Sequence, residues 1–110
     1  MSNPDPMSTA LATLDKCDAT LVRLDKMCCD PGRSPQMARL AETLRETRTH
    51  LGAGIDEADR ALSKLEAAGS QLGRLQVGCC APARMPLYSS MLEGFTEIQI
   101  AVNSARGQGH

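Results

Sequence analysis

The sequence repeats itself after 51 residues, and this repeat constrains the fold more than any other feature of the chain. Residues 4–54 align without a gap on residues 55–105, and 14 of the 51 aligned pairs are identical. The densest agreement is the motif C-C-x-P-x-R-x-P at residues 28–35 and again at residues 79–86. Because one repeat forms one supersecondary unit, we predict two copies of one unit in a single domain of residues 1–110 with short flexible termini.

Apolar residues recur every three or four positions in four segments of the chain, which is the spacing of a helix with one buried face. The predicted buried face of the first segment contains Met7, Ala10, Leu14, Cys17, Leu21, Leu24 and Cys28, and that of the third contains Ala58, Ala61, Leu65, Ala68, Leu72, Leu75 and Cys79. The second segment contributes Met37, Leu40, Leu44, Thr47 and Leu51, and the fourth contributes Tyr88, Met91, Phe95, Ile98 and Val102. Short connections favour antiparallel neighbours, so we predict an all-α protein, a four-helix up-down bundle built from two duplicated helical hairpins.

The motif itself predicts where the second helix of each hairpin begins. Ser34 is a good N-cap, and Pro35 suits the first helical position because its missing N–H has no partner there. In the second repeat Pro86 is retained but the capping hydroxyl is lost, and we expect the last helix to begin near this proline.

Up-down topology would bring both copies of the motif to the same end of the bundle. Four thiols would meet there, from Cys28, Cys29, Cys79 and Cys80, and soft sulfur ligands favour copper(I) or zinc. The usual C-x2-C spacing of zinc sites is missing, however. The cysteines are therefore a candidate metal site, and thiol redox chemistry, disulfide formation and simple packing stay open as alternatives.

Arginine follows the paired cysteines in both copies of the motif. Arg33 and Arg84 could lower the pKa of a neighbouring thiol, or they could lie against the carbonyl groups that end the preceding helix. Cys17 differs, because it lies on the buried face and aligns with Ala68. We expect it to be a small core residue.

Composition disfavours several classes of function. The chain has 12 basic and 13 acidic residues, so it lacks the basic excess that binding to nucleic acid phosphates requires. One Tyr, one Phe and no Trp leave no platform for stacking bases and no aromatic belt for a membrane. We expect no nucleic acid partner and no membrane span. Five cysteines without a secretory signal predict a cytoplasmic protein.

Catalytic patterns are also missing from the sequence. Glu42, Glu46, Glu93 and Glu97 repeat at helical spacing, but they lie opposite the predicted buried faces, where a carboxylate metal site inside a bundle cannot form. His50 has no partner pattern around it. We therefore predict that the protein is not an enzyme.

The last helix is more apolar than its counterpart in the first repeat. Leu87, Leu92 and Ile100 replace Gln36, Ala41 and Thr49. A broadened apolar face predicts an interface, either with another protein or between two copies in a homodimer. Our first functional hypothesis is a small non-catalytic protein-interaction module. The alternative is a metal-binding or thiol-redox protein that uses the paired cysteines.

Overall fold

The structure is a computed structural model that describes residues 5–27, 35–75 and 81–108, with the backbone alone for residues 81–83 and 108. These residues form four helices, α1 (Pro6–Lys26), α2 (Pro35–Gly52), α3 (Ala58–Leu75) and α4 (Ala81–Gln108), and a short 3-10 turn, Ile55–Glu57, leads into α3. No strand occurs in the described ranges. The all-α prediction is therefore confirmed.

Neighbouring helices run antiparallel, as the up-down prediction requires. Lys64 Nζ, near the start of α3, lies 2.6 Å from Glu46 Oε2, near the end of α2. Arg106, near the end of α4, pairs at 2.9 Å with Asp59, near the start of α3. The most extensive contacts join α1 to α4 and α2 to α3. Each of these tight pairs contains one helix from each repeat, so the core is shared between the repeats.

The core has the same 51-residue offset as the sequence. The buried positions of α1 that recur in α3 are Ala10, Leu14, Cys17, Leu21 and Leu24, whose counterparts are Ala61, Leu65, Ala68, Leu72 and Leu75. In α2 and α4, all predicted core positions from Met37 to Leu51 and from Tyr88 to Val102 are likewise buried. Met7 is half-buried against this cluster, and Cys28 and Cys79 lie outside the described residues. The core prediction is confirmed, whereas the origin of the repeats by duplication stays a prediction.

Local capping and turn chemistry explain where α1 begins and how α2 joins α3. The side chain of Asp5 accepts a hydrogen bond from the backbone N–H of Ser8 at 3.2 Å, and Pro6 opens the helix. After α2, the chain reverses through Gly54, which has a φ of 108°, a conformation that suits glycine.

The start of α4 corrects the sequence prediction. This helix begins at Ala81, so Pro86 lies inside it rather than at its first turn. Pro86 cannot donate the usual backbone hydrogen bond, and the residues two positions before and after it, Arg84 and Tyr88, are both buried. Arg84 is only 3% exposed, with its guanidinium 5.5 Å above the ring of Tyr88. The Tyr88 hydroxyl in turn donates to the carbonyl oxygen of Leu75 at the end of α3, at 3.0 Å.

Gly94 allows α1 and α4 to approach each other closely. A Cβ atom at this position would lie 2.6 Å from Cys17 Sγ and 3.6 Å from Thr13 Cγ2. The equivalent positions in the other tight pair are occupied by Thr43 on α2 and Ala68 on α3, both buried. In the α1–α4 pair the larger side chain is Cys17, on α1, and in the α2–α3 pair it is Thr43, on α2. Each faces a small residue, so both pairs of helices can approach closely.

We predict that Gly94→Ala lowers the free energy of unfolding by about 1 kcal/mol, because the added methyl group displaces the Cys17 thiol. In a Cys17→Ala background the same change should instead stabilise by up to about 1 kcal/mol, since alanine is the better helix former. Urea unfolding of the four proteins measures this coupling.

Gly73→Ala is the matched control, because no atom lies within 4 Å of a Cβ placed at that helical glycine. It should stabilise the protein in both backgrounds. An equal effect of Gly94→Ala with and without Cys17 would show that the two side chains do not compete for the same space.

Candidate functional site

The paired cysteines lie outside the described part of the chain. Cys28, Cys29, Cys79 and Cys80 fall in the two stretches that connect α1 to α2 and α3 to α4, as does Arg33 in the first. The helix ends that flank both stretches lie at one end of the bundle. Within the described ranges, no group of three or more His, Cys, Asp or Glu residues could hold a metal ion. The metal and thiol hypotheses therefore stay predictions.

Of the cysteines and arginines of the motif, Arg84 is the one whose side chain lies in the described ranges. Its position over Tyr88 is a cation–π contact, and Tyr88 itself satisfies a carbonyl group at the end of α3. The arginine therefore packs into the end of the core. It contacts Tyr88, and Tyr88 in turn is hydrogen-bonded to the C-terminal end of α3. An influence of Arg84 on the Cys79 or Cys80 thiol remains a prediction.

Cys17 is a buried thiol, as predicted from its alignment with Ala68. Burial is the main cause that raises the pKa of Cys17 to about 11, and the negative charges of Asp18 and Glu97 contribute in the same direction. A groove of about 160 Å³ above it is lined by Thr13, Lys16, Thr20, Ser90, Glu93 and Glu97. Because the nucleophilic form of cysteine is the thiolate, Cys17 is held in its unreactive form.

We predict that Cys17 contributes stability at neutral pH that is lost in alkali. The folded thiol stays protonated up to a pH of about 11. In the unfolded chain a thiol ionises at about pH 8.5. Above that pH, ionisation lowers the free energy of the unfolded state and so favours unfolding. The difference in unfolding free energy between wild type and Cys17→Ala should fall by as much as about 3 kcal/mol between about pH 8.5 and 11.

Chemical unfolding at a series of pH values gives this difference directly. The other four cysteines are present in both proteins and cancel in the comparison. A difference that stays constant with pH would mean that the Cys17 thiol ionises equally well in the folded and unfolded chains.

The repeated glutamates lie outside the core, as predicted. Glu42, Glu93 and Glu97 are exposed, and Glu46 is half-buried and paired with Lys64. His50 Nδ1 lies 3.5 Å from a carboxylate oxygen of Glu57, across the turn between α2 and α3. Glu42 and Glu46 thus form surface ion pairs, with Arg45 and Lys64, and none of the four glutamates lies in the core.

One ion-pair cluster was not foreseen from the sequence. Arg48 of α2 donates to both Asp15 and Asp18 of α1, and its nitrogen lies 2.7 Å from Asp18 Oδ2. The hydrogen bond to Asp18 is the main cause that raises the pKa of the Arg48 guanidinium. Because the partners are 30 and 33 residues away, no local pattern could have revealed them.

An uncharged strip follows the outward face of α4. Its residues are Met85, Ser89, Leu92, Thr96, Gln99, Ile100 and Asn103, and all seven are exposed. We call this set the outer strip of α4. Leu92 and Ile100 are 40% and 65% exposed, whereas Leu87 is half-buried and packs against the core. Of the three predicted interface residues, two therefore belong to the strip and Leu87 does not.

No protein-family model, curated protein or solved structure matches this chain. Among the described helices, none is both long enough and apolar enough to cross a membrane. The functional argument therefore depends on the chain's own surfaces.

Proposed function

We propose that the protein is a small non-catalytic interaction module that binds a protein partner through the outer strip of α4, and that a second copy of the chain is its first partner. The supporting observation is the exposure of Leu92 and Ile100 on a helix face without charged residues. Exposed apolar side chains in a row gain free energy when another surface removes them from water.

The strip is specific to the second repeat. At the positions equivalent to Leu92, Thr96 and Gln99, α2 carries Ala41, Arg45 and Arg48. The face is therefore not needed for the fold, because α2 holds the equivalent place in the bundle with charged residues. A function of the second repeat alone accounts for the difference.

The spacing along the strip suits packing against an identical helix. Leu92 and Ile100 lie four residues before and after Thr96, and Ser89 and Asn103 lie seven residues before and after it. Two antiparallel copies related by a two-fold axis at Thr96 would place Leu92 of each copy opposite Ile100 of the other. Glu93, at the edge of the strip, would meet the same edge of the second copy, so added salt should strengthen the dimer.

We also infer a reducing compartment such as the cytoplasm. The chain has five cysteines, an odd number, and Cys17 is a free thiol in the core. Free thiols persist where glutathione and thioredoxin keep them reduced. Neither a nucleic acid nor a membrane belongs to the proposed function.

We predict that Leu92→Lys/Ile100→Lys shifts the protein toward the monomer in sedimentation velocity, because four lysines would meet in the interface. Helicity by circular dichroism should be nearly unchanged, since both side chains are exposed.

Val22→Lys/Ile55→Lys is the matched control, as these side chains are 54% and 42% exposed and lie outside the strip. It should keep the wild-type association state. If wild type is already monomeric at high concentration and high salt, self-association through α4 is wrong.

A metal-binding or thiol-redox function is the second candidate. It is favoured by the topology, because the connections that carry both cysteine pairs join helix ends at the same end of the bundle. Under this alternative, Cys29→Ser and Cys80→Ser should each remove most of the bound metal, and their effects should be non-additive because both halves contribute to one site. Metal analysis of untagged protein, purified without chelator, measures this. Metal-free protein with slowly reacting thiols would contradict the alternative.

A further inference from the structure

Positive charge is concentrated at the end of the bundle where α1 and α3 finish and α2 and α4 begin. The described residues there include five basic side chains, Arg23, Lys26, Arg39, Arg74 and Arg84, and one acidic side chain, Asp25. Of the 11 basic and 12 acidic residues in the described ranges, 5 and 1 lie at this end, which leaves 6 and 11 elsewhere. The chain is nearly neutral overall, but its positive charge is in excess at this end and its negative charge is in excess elsewhere.

Four of the basic side chains at this end also differ from those elsewhere in their ion pairing. Elsewhere in the molecule, five of the six basic residues pair with carboxylates: Arg45, Arg48, Arg60, Lys64 and Arg106. By contrast, Arg23, Lys26, Arg39 and Arg74 are exposed, and none of them forms an ion pair with another described residue. We call these four residues the basic rim.

Two members of the basic rim line a single crevice. Arg39 of α2 and Arg74 of α3 border about 70 Å³ of space together with Gln36 and Gln71, and no carboxylate from the described ranges lines it. The Gln71 Oε1 atom is buried there without a hydrogen-bond partner. Rotating the terminal amide by half a turn would present its N–H groups instead. The crevice would then offer an amide donor beside two guanidinium groups, the donors that suit a carboxylate.

Exposed methionines accompany the rim. Met27 follows Lys26 at the end of α1, and Met85 lies near the start of α4, and both are exposed. Methionine adapts its shape to apolar partners and is frequent on surfaces that bind peptides. The two aromatic residues of the chain, Tyr88 and Phe95, are buried in the core. The end therefore lacks aromatic groups for stacking bases or for anchoring in a membrane interface.

We propose that this end of the bundle docks an acidic, partly apolar segment of a partner protein, with one carboxylate held between Arg39 and Arg74. The remaining basic rim attracts the other acidic groups, and Met27 and Met85 contact the apolar ones. This surface shares Met85 with the outer strip of α4 but does not include Leu92 or Ile100, and the proposal does not depend on self-association.

The test uses a fluorescein-labelled helical peptide of glutamate and leucine, with a lysine and leucine peptide of the same pattern as its counterpart. Fluorescence anisotropy with the full chain should show binding of the acidic peptide and none of the basic one. Binding should weaken markedly when sodium chloride is raised from about 0.05 M to about 0.3 M, because salt screens exposed charges.

Arg39→Gln/Arg74→Gln should weaken binding of the acidic peptide by about tenfold or more, since two charge-assisted contacts are lost. The matched control is Arg45→Gln/Arg60→Gln, which removes the same charge from two exposed arginines away from this end. It should change the affinity by less than about twofold, as distant exposed charges are screened. Circular dichroism checks that both variants stay folded.

Several outcomes would overturn the proposal. Equal loss in both double variants would mean a response to total charge alone. Tighter binding to phosphatidylserine vesicles or duplex DNA than to the acidic peptide would assign the end to a different class of partner. Self-association of wild type that is lost at high salt and in Arg39→Gln/Arg74→Gln would assign it to a second copy.

Leu92→Gln/Ile100→Gln separates this proposal from the proposed function. It leaves charge unchanged and alters only the outer strip of α4, so peptide affinity should equal that of wild type. Loss of peptide binding in this variant would mean that the peptide binds at the outer strip of α4, and it would contradict docking at the basic rim. A monomeric wild type that binds the peptide would contradict self-association and leave the docking surface intact.

Discussion

Close packing of α1 against α4, and of α2 against α3, is the constraint on which the rest of the bundle depends. Small residues make it possible, because Gly94 leaves room for Cys17 in one pair and Ala68 faces the other. Both pairs join one repeat to the other, and contacts within a repeat are fewer. A single hairpin would therefore expose the faces that pack most tightly, so each half stabilises the other.

Most of the fold could be predicted from the sequence, because helical periodicity is a local property. Every predicted core position within the described residues is buried or half-buried, from Met7 to Val102. The start of α4 could not be predicted in this way. Pro86 is a local signal for a helix start, but the helix begins at Ala81, and Arg84 in its first turn is buried against Tyr88. Tertiary packing outweighed a local preference there.

The candidate sites were less predictable, since they depend on how distant segments meet. Leu92 and Ile100 were found by comparing aligned positions of the two repeats, whereas Leu87 proved to lie against the core. The basic rim was hidden by the overall charge of -1, because composition averages over the whole chain. Only the fold shows that Arg39 and Arg74, 35 positions apart in sequence, border one crevice.

The pairing of the first and last helices also determines where on the bundle a partner joined to either chain end is attached. α1 begins at Pro6 and α4 ends at Gln108, and because these helices are antiparallel neighbours, both points lie at the end remote from the basic rim. Whatever precedes the first helix or follows the last leaves the bundle from there. A larger protein or a solid support joined at either terminus would hold the molecule with the arginine crevice pointing away from the attachment.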